Sequence, residues 1–238
     1  MSVQKESRRE PVYKVVRAIL VPLLRLFFRW EFIGLEKVPR SGPVIVAANH
    51  ISYFDPLCHA YAIDRTGRTM RFFAKSELWK NPFLRFILGH ANQIPVERGT
   101  GETGPIEKAE EALARGELVI IYPEATISRN EDLTPMQGKT GVARVALASA
   151  APVVPIAVWG SHWVKPKRRK PVWKWRRLMM LNVGEPMTFP GLEHKQDDPE
   201  VRREVTDRIV AELDRLVREL HKLHPDGPAV PPLIERKQ

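Results

Sequence analysis

From Gly34 onward, short apolar runs of strand length alternate with helical or polar stretches, and this rhythm restricts the fold more than any other feature of the chain. The runs are PVIVAA from Pro43, RFFA from Arg71, QIPV from Gln93, ELVIIY from Glu117, PVVPIAV from Pro152 and LMMLNV from Leu178. Strands that alternate with helices build parallel crossover units, so the expected fold is α/β, with a largely parallel central sheet flanked by helices. Runs without polar alternation, such as Leu118 to Tyr122, need cover on both faces and belong near the centre of the sheet. Helices are predicted over 56–63, 105–115 and 138–149. Farther on, Val201, Val205, Ile209, Leu213, Leu216, Val217, Leu220 and Leu223 recur at helical spacing. The organisation read from this pattern is a membrane-associating segment over 1–30, an α/β domain over 31–192, an amphipathic helix packed on that domain over 193–224, and a proline-rich extended tail over 225–238. Hydrophobic residues make up 43% of the 238, which excludes disorder as the main state.

Thirty-eight Lys and Arg oppose twenty-eight Asp and Glu, a net charge of +10 that calls for an anionic partner. Nucleic acid, an anionic membrane surface and a phosphorylated substrate all satisfy that sign, so the placement of the charges has to separate them. On a helical wheel, Lys14, Arg17, Arg25 and Arg29 share one arc of roughly 120°, and Val15, Val16, Ile19, Leu23, Leu24, Leu26, Phe27 and Trp30 cover the other side. This is the pattern of a basic amphipathic helix lying in a membrane interface. Its uncharged run, Ala18 to Leu24, is too short to span a bilayer, and the arginines interrupt a signal-peptide pattern. Between Lys165 and Arg177 the chain carries eight cations, no acids and two tryptophans. Lys167, Arg168, Arg169, Trp173 and Trp175 are its candidate membrane contacts. The same composition suits nucleic acid, but beside an amphipathic N-terminus it favours membrane or coenzyme phosphates. The single cysteine, Cys58, excludes an internal disulfide framework and suits a reducing cytosol. The expected location is peripheral, on the cytoplasmic face of the cell membrane.

The sequence VIVAANHISYFDP puts Asn49 and His50 at the end of an apolar strand and Asp55 at the start of a helix. Five residues is a poor spacing for one helical face, but a turn can fold the carboxylate back onto the imidazole. A histidine oriented by an aspartate is a general base. On spacing alone, Asp55 serves equally well as a helix cap and His50 as a packing residue. Two further segments bear on the choice. Arg98 stands just beyond one strand, and Glu124, Thr126, Ser128 and Arg129 stand just beyond another. Polar groups at successive strand ends converge in space, where an arginine can bind phosphate and a carboxylate can accept hydrogen bonds from a polyol. A divalent-metal site at His50, Asp55 and His59 is the alternative arrangement.

Together these segments resemble the glycerophospholipid acyltransferase family, in particular its bacterial lysophosphatidic acid acyltransferases, over roughly 32–186. Asn49 to Asp55 matches the family's first motif, and the resemblance implies that His50 is the catalytic base and Asp55 its orienting group. Arg98, in QIPVER, matches the second motif, whose arginine contacts substrate phosphate. Tyr122 to Thr126 matches the third, but Ala125 stands where the family has glycine and Ile127 where it has arginine. MQGKTG and the Val-Pro-Ile strand resemble the family's later region and add Lys139 as a phosphate candidate, with Gly138 and Gly141 expected to let an anion approach the backbone. The implied reaction transfers a fatty acyl group from acyl-CoA or acyl carrier protein to lysophosphatidic acid, giving phosphatidic acid, with no metal or cofactor. Glycerol 3-phosphate or another lysolipid as acceptor, and a non-catalytic lipid- or nucleic-acid-binding module, are the alternatives. There is no Gly-x-Ser-x-Gly elbow, and Cys58 falls within a predicted helix, so direct attack by the acceptor hydroxyl is the simpler route.

Overall fold

The computed structural model describes residues 11–90, 93–96 and 104–232. In chain order the elements are α1 (Pro11–Phe27), β1 (Phe28–Ile33), β2 (Val44–Ala48), α2 (Asp55–Arg65), β3 (Met70–Lys75), α3 (Pro82–His90) and β4 (Ile94–Val96). They continue with α4 (Gly104–Ala114), β5 (Leu118–Ile121), α5 (Gly141–Ser149), β6 (Val153–Trp159), β7 (Arg177–Val183) and α6 (Pro199–Leu223). The strands form one sheet in the order β1-β7-β6-β2-β5-β3-β4. Every pairing is parallel except that of β6 with β7.

All six expected strands are present, and β2, β5 and β6 are buried along their whole length. Their continuous apolar character follows from cover on both faces. Val44, Val46 and Ala48 join a cluster with Leu24 of α1 and Cys58 and Ala62 of α2. The alternate residues Ile45 and Ala47 join Ala109 of α4, Val142 of α5 and Ile209 of α6 on the opposite side. Helix α6 begins where Asp198 accepts hydrogen bonds from the N–H groups of Glu200 and Val201, with Pro199 in the first turn. Gly138 belongs to this packing: a Cβ there would lie 2.8 Å from Thr206 and Val210. Its small size serves the contact with α6, and the space at Gly141 is open.

Two elements depart from the expected layout. The predicted amphipathic helix stops at Phe27, and Phe28–Ile33 forms β1, so the boundary expected between residues 30 and 31 falls inside a strand. FRWEFI alternates in a two-residue period that a short helical wheel also accommodates. Pairing with β7 from Phe28↔Arg177 to Ile33↔Asn182 decides between them. Helix α3 has no counterpart among the predicted helices.

The orientation of α1 also differs from expectation. Leu24 is buried and Val16, Leu20 and Phe27 are partly buried, while Val15, Ile19, Leu23 and Leu26 are 60, 61, 44 and 52% exposed. Two of the arginines expected on a lipid-facing polar arc instead meet α2. Arg17 pairs with Asp64 at 2.6 Å, and Arg25 donates to the Tyr61 hydroxyl at 3.0 Å. Lys14 is exposed, and Arg29, on β1, lies 3.8 Å from Glu31. Among the described residues no helix is long and apolar enough to cross a membrane. Of the proline-rich tail, the described residues 225–232 are tied down: Trp159 donates to the Gly227 carbonyl, and Arg169 to that of Pro231.

Candidate active site

Three polar groups meet at the carboxyl ends of three adjacent strands. β2 lies between β5 and β6, parallel to both. His50 follows β2 by two residues, Glu124 follows β5 by three and Ser161 follows β6 by two. In a parallel sheet these ends open on the same side, which is where α/β sites form.

The turn from β2 into α2 folds Asp55 back onto His50. Oδ2 of Asp55 lies 2.8 Å from His50 Nδ1 and accepts the backbone N–H groups of Ile51 and Ser52 at 2.6 and 2.7 Å. Oδ1 accepts the Ser161 hydroxyl at 2.5 Å. Asp55 is fully buried. A carboxylate in that position persists because its donors replace the water it has lost. With Asp55 as acceptor, the network assigns the His50 proton to Nδ1 and leaves Nε2 as the basic nitrogen. The ring is further held by Tyr122, stacked at 4.4 Å and 27°.

The backbone of His50 is clamped as firmly as its ring. Its N–H donates to Glu124 Oε1 at 3.0 Å, and its carbonyl accepts Ser128 N–H at 2.7 Å. The other oxygen of Glu124 accepts Met136 N–H at 3.1 Å. Glu124, expected to bind a polyol, is thus a buried brace between loops, its carboxyl pushed up to about 7 mainly by burial. Asn49 has a similar part. Its amide pairs both ways with the backbone of Val158, joining the ends of β2 and β6.

The remaining candidates are distributed around this centre. Thr126 accepts a hydrogen bond from Lys167 Nζ at 3.0 Å, which draws a cation of the Lys165 to Arg177 segment to the loop after β5. Lys139 is exposed, with its backbone N–H on the Pro123 carbonyl at 2.8 Å. Arg129 is exposed and follows Ser128. Arg98 lies outside the described residues. Arg169, an expected membrane contact, is occupied by the carbonyls of Pro231 and Glu131, whereas Arg168, Trp173 and Trp175 are exposed.

His59 stands behind the dyad, fully buried, with Nδ1 2.9 Å from the Asp55 carbonyl and 3.1 Å from the Tyr122 hydroxyl. Burial lowers its pKa to about 4, so it is neutral at pH 7. Among the described residues, no group of three His, Cys, Asp or Glu is placed to hold a metal ion. Cys58 is buried in α2, its thiol pushed up by loss of solvent, and is not available as a nucleophile. Ser161 was not singled out from the sequence, although its place just past an apolar strand is the signal that marked Arg98 and Glu124.

The segment 29–159 matches the Acyltransferase family. That is 131 of 238 residues, more than half of the chain. The chain belongs to this family. It is 26% identical over 183 residues to the 1-acyl-sn-glycerol-3-phosphate acyltransferase of Bacillus subtilis, covering 77% of this chain and 86% of that one. It is also 26% identical over 143 residues to the chloroplastic 1-acyl-sn-glycerol-3-phosphate acyltransferase BAT2 of Brassica napus, covering 59% of this chain and 40% of that one. The chain thus spans about two fifths of the length of some curated relatives that it matches. The crystal structure of the 1-acyl-sn-glycerophosphate (LPA) acyltransferase PlsC from Thermotoga maritima superposes with a TM-score of 0.60 and 26% identity, covering 84% of this chain and 78% of that one.

Within this acyltransferase fold, the loop after β5 shows how a departure from the motif is accommodated. Ala125, in place of glycine, has φ 53°, a left-handed conformation that glycine adopts without strain. Ile127, in place of arginine, is buried and brings no charge. Ala125→Gly is therefore expected to stabilise the protein by about 1 kcal/mol, read as a higher urea midpoint. A lower midpoint would show that packing of the Ala125 methyl outweighs the strain.

Proposed function

We propose that the protein transfers a fatty acyl group from an acyl thioester to the free hydroxyl of lysophosphatidic acid, forming phosphatidic acid. The observation that carries this reading is the His50–Asp55 pair, held by four donors to a buried carboxylate at the strand ends. His50 Nε2 removes the hydroxyl proton as the acceptor oxygen attacks the thioester carbonyl. The C–S bond breaks, and the leaving thiolate takes the proton back from the imidazolium. Lys139, Lys167 beside Thr126, Arg129 and Arg98 are the cations assigned to the acceptor phosphate. Holding that phosphate turns remote binding into orientation of the hydroxyl against His50.

The same reading places the protein on a membrane surface, where its acceptor resides. Val15, Ile19, Leu23 and Leu26 make an exposed apolar stripe on α1, and Trp173 and Trp175 stand beside it, their rings 6.2 and 5.4 Å from Phe27. Phe54, next to Asp55, packs on Phe28 at 5.0 Å and connects the site to this surface. Burial of an exposed aliphatic side chain in lipid contributes on the order of 1.5 kcal/mol or more. Ile19→Ser with Leu23→Ser is expected to weaken vesicle binding at least tenfold in cosedimentation, and undiminished binding would remove α1 from the contact.

The activity is tested by thiol release from palmitoyl-CoA and from palmitoyl-acyl carrier protein, with and without lysophosphatidic acid, the product identified by mass spectrometry. Acceptor-dependent release with phosphatidic acid formed is the expected result. Release without acceptor would make the protein a thioesterase. No release with any lysolipid or donor would leave a peripheral binding module.

A further inference from the structure

A second cationic site lies away from the dyad. The open edge of β1, the end of α1 and the outer side of α2 border a shallow, open cleft of about 350 Å³ whose walls include Arg25, Arg29, Arg65 and Arg176 but not His50. These arginines come from α1, β1, the last turn of α2 and the loop before β7, so folding alone brings them together. Among the described residues, no carboxylate lines the cleft. Arg25 donates to the Tyr61 hydroxyl at 3.0 Å, and Arg65 lies over the Phe32 ring at 5.2 Å. Both partners are neutral and orient a guanidinium without cancelling its charge. The nearby carboxylate of Asp64 is taken up by Arg17 at 2.6 Å. Glu31 approaches Arg29 only at 3.8 Å, with both side chains about half exposed. Arg176 has a left-handed backbone, φ 50°. Four like charges around one concavity repel one another, and an anion seated among them relieves that repulsion.

We infer that this cleft binds a phosphate group, that of an anionic phospholipid headgroup, at a site separate from that of the acceptor. The choice of a lipid rests on the membrane reading above and on what borders the cleft. Arg25 immediately precedes Leu26 of the exposed α1 stripe, and Arg176 immediately follows the exposed Trp175. When the stripe enters the acyl boundary, the guanidiniums stand at headgroup depth, where planar forks match phosphate oxygens. The bound headgroup fixes α1 and β1 against the surface, and Phe28 transmits that placement to Phe54 beside Asp55.

The experiment compares the full chain with Arg65→Gln/Arg176→Gln and with Lys108→Gln/Lys195→Gln, a pair of exposed cations outside the cleft that lowers net charge equally. Binding is measured by cosedimentation with vesicles of phosphatidylcholine alone and of phosphatidylcholine with 30 mol% phosphatidylglycerol. Binding of free CoA is measured by calorimetry, and thermal melting checks folding. Arg65→Gln/Arg176→Gln is expected to lose roughly thirtyfold in affinity for the anionic vesicles, at about 1 kcal/mol per cation, and nothing on the neutral ones, with the control pair near wild type. Equal losses in both pairs would reduce the cleft to diffuse charge and overturn the site. Loss of CoA binding with vesicle binding intact would assign the phosphate to the acyl donor and overturn the lipid. Failure of the wild type to bind either vesicle would sink the membrane reading along with this one, whereas loss on both vesicles only in Ile19→Ser/Leu23→Ser would leave that reading standing. If the double variant does not fold, Arg176→Gln alone, at an exposed loop position, makes the same comparison.

Discussion

Replacement of His50 by alanine is expected to reduce acyl transfer by roughly 10³-fold or more, the range in which a positioned general base contributes. The fold should survive it. The turn is held through the His50 backbone, by Glu124 on one side and Ser128 on the other, and neither bond involves the imidazole. The lost ring contact with Tyr122 and the lost Nδ1 donor together should cost on the order of 1 kcal/mol. Steady-state turnover and urea unfolding of the same preparation separate the two effects. Turnover within tenfold of wild type, in a folded variant, would take His50 out of the mechanism.

Asp55 allows a sharper distinction, because its two roles respond to different substitutions. In Asp55→Asn, the amide oxygen can still accept Ile51 N–H, Ser52 N–H and His50 Nδ1–H, and the amide nitrogen can donate to the Ser161 oxygen. The turn is therefore retained, but the negative charge that stabilises the imidazolium is gone. A loss of roughly 10²- to 10⁴-fold in kcat is expected, with a much smaller change in KM, since the interaction strengthens only as His50 takes up a proton. In Asp55→Ala the buried N–H groups of Ile51 and Ser52 and the Ser161 hydroxyl lose their acceptor. Each such group costs about 1–3 kcal/mol, so this variant should be destabilised by several kcal/mol, and Asp55→Asn by far less. Equal stability of the two variants would show that water fills the vacated position. An active Asp55→Asn would show that Asp55 only holds the turn.

The dyad was legible because strand ends are readable. A run such as VIVAA, apolar without interruption, has to be a buried strand, and the polar residues that follow it have to emerge at the sheet's edge. The roles of the polar groups around the dyad were less legible. Glu124 and Asn49 have the composition of ligand-binding residues, yet their polar atoms are spent on backbone groups elsewhere in the chain, from 12 residues away at Met136 to 109 away at Val158. Arg17, Arg25 and Lys167 are charges in the sequence whose partners Asp64, Tyr61 and Thr126 only the fold supplies. A one-dimensional pattern counts donors and acceptors without pairing them across the 36 to 47 residues that separate these partners.

What the sequence by itself determined was the class of fold, the six apolar strands and the position of the candidate site after β2 and β5. Those features follow from the local period of side chains and from the cost of burying unpaired polar groups, both of which act along the chain. The tertiary structure decided that Phe28–Ile33 pairs with β7 rather than extending α1. It also decided that Ser161 completes the donor set of Asp55, and that four arginines from separate segments share one cleft. Each of these depends on a contact between residues distant in sequence, whose free energy exists only once the sheet has brought them together.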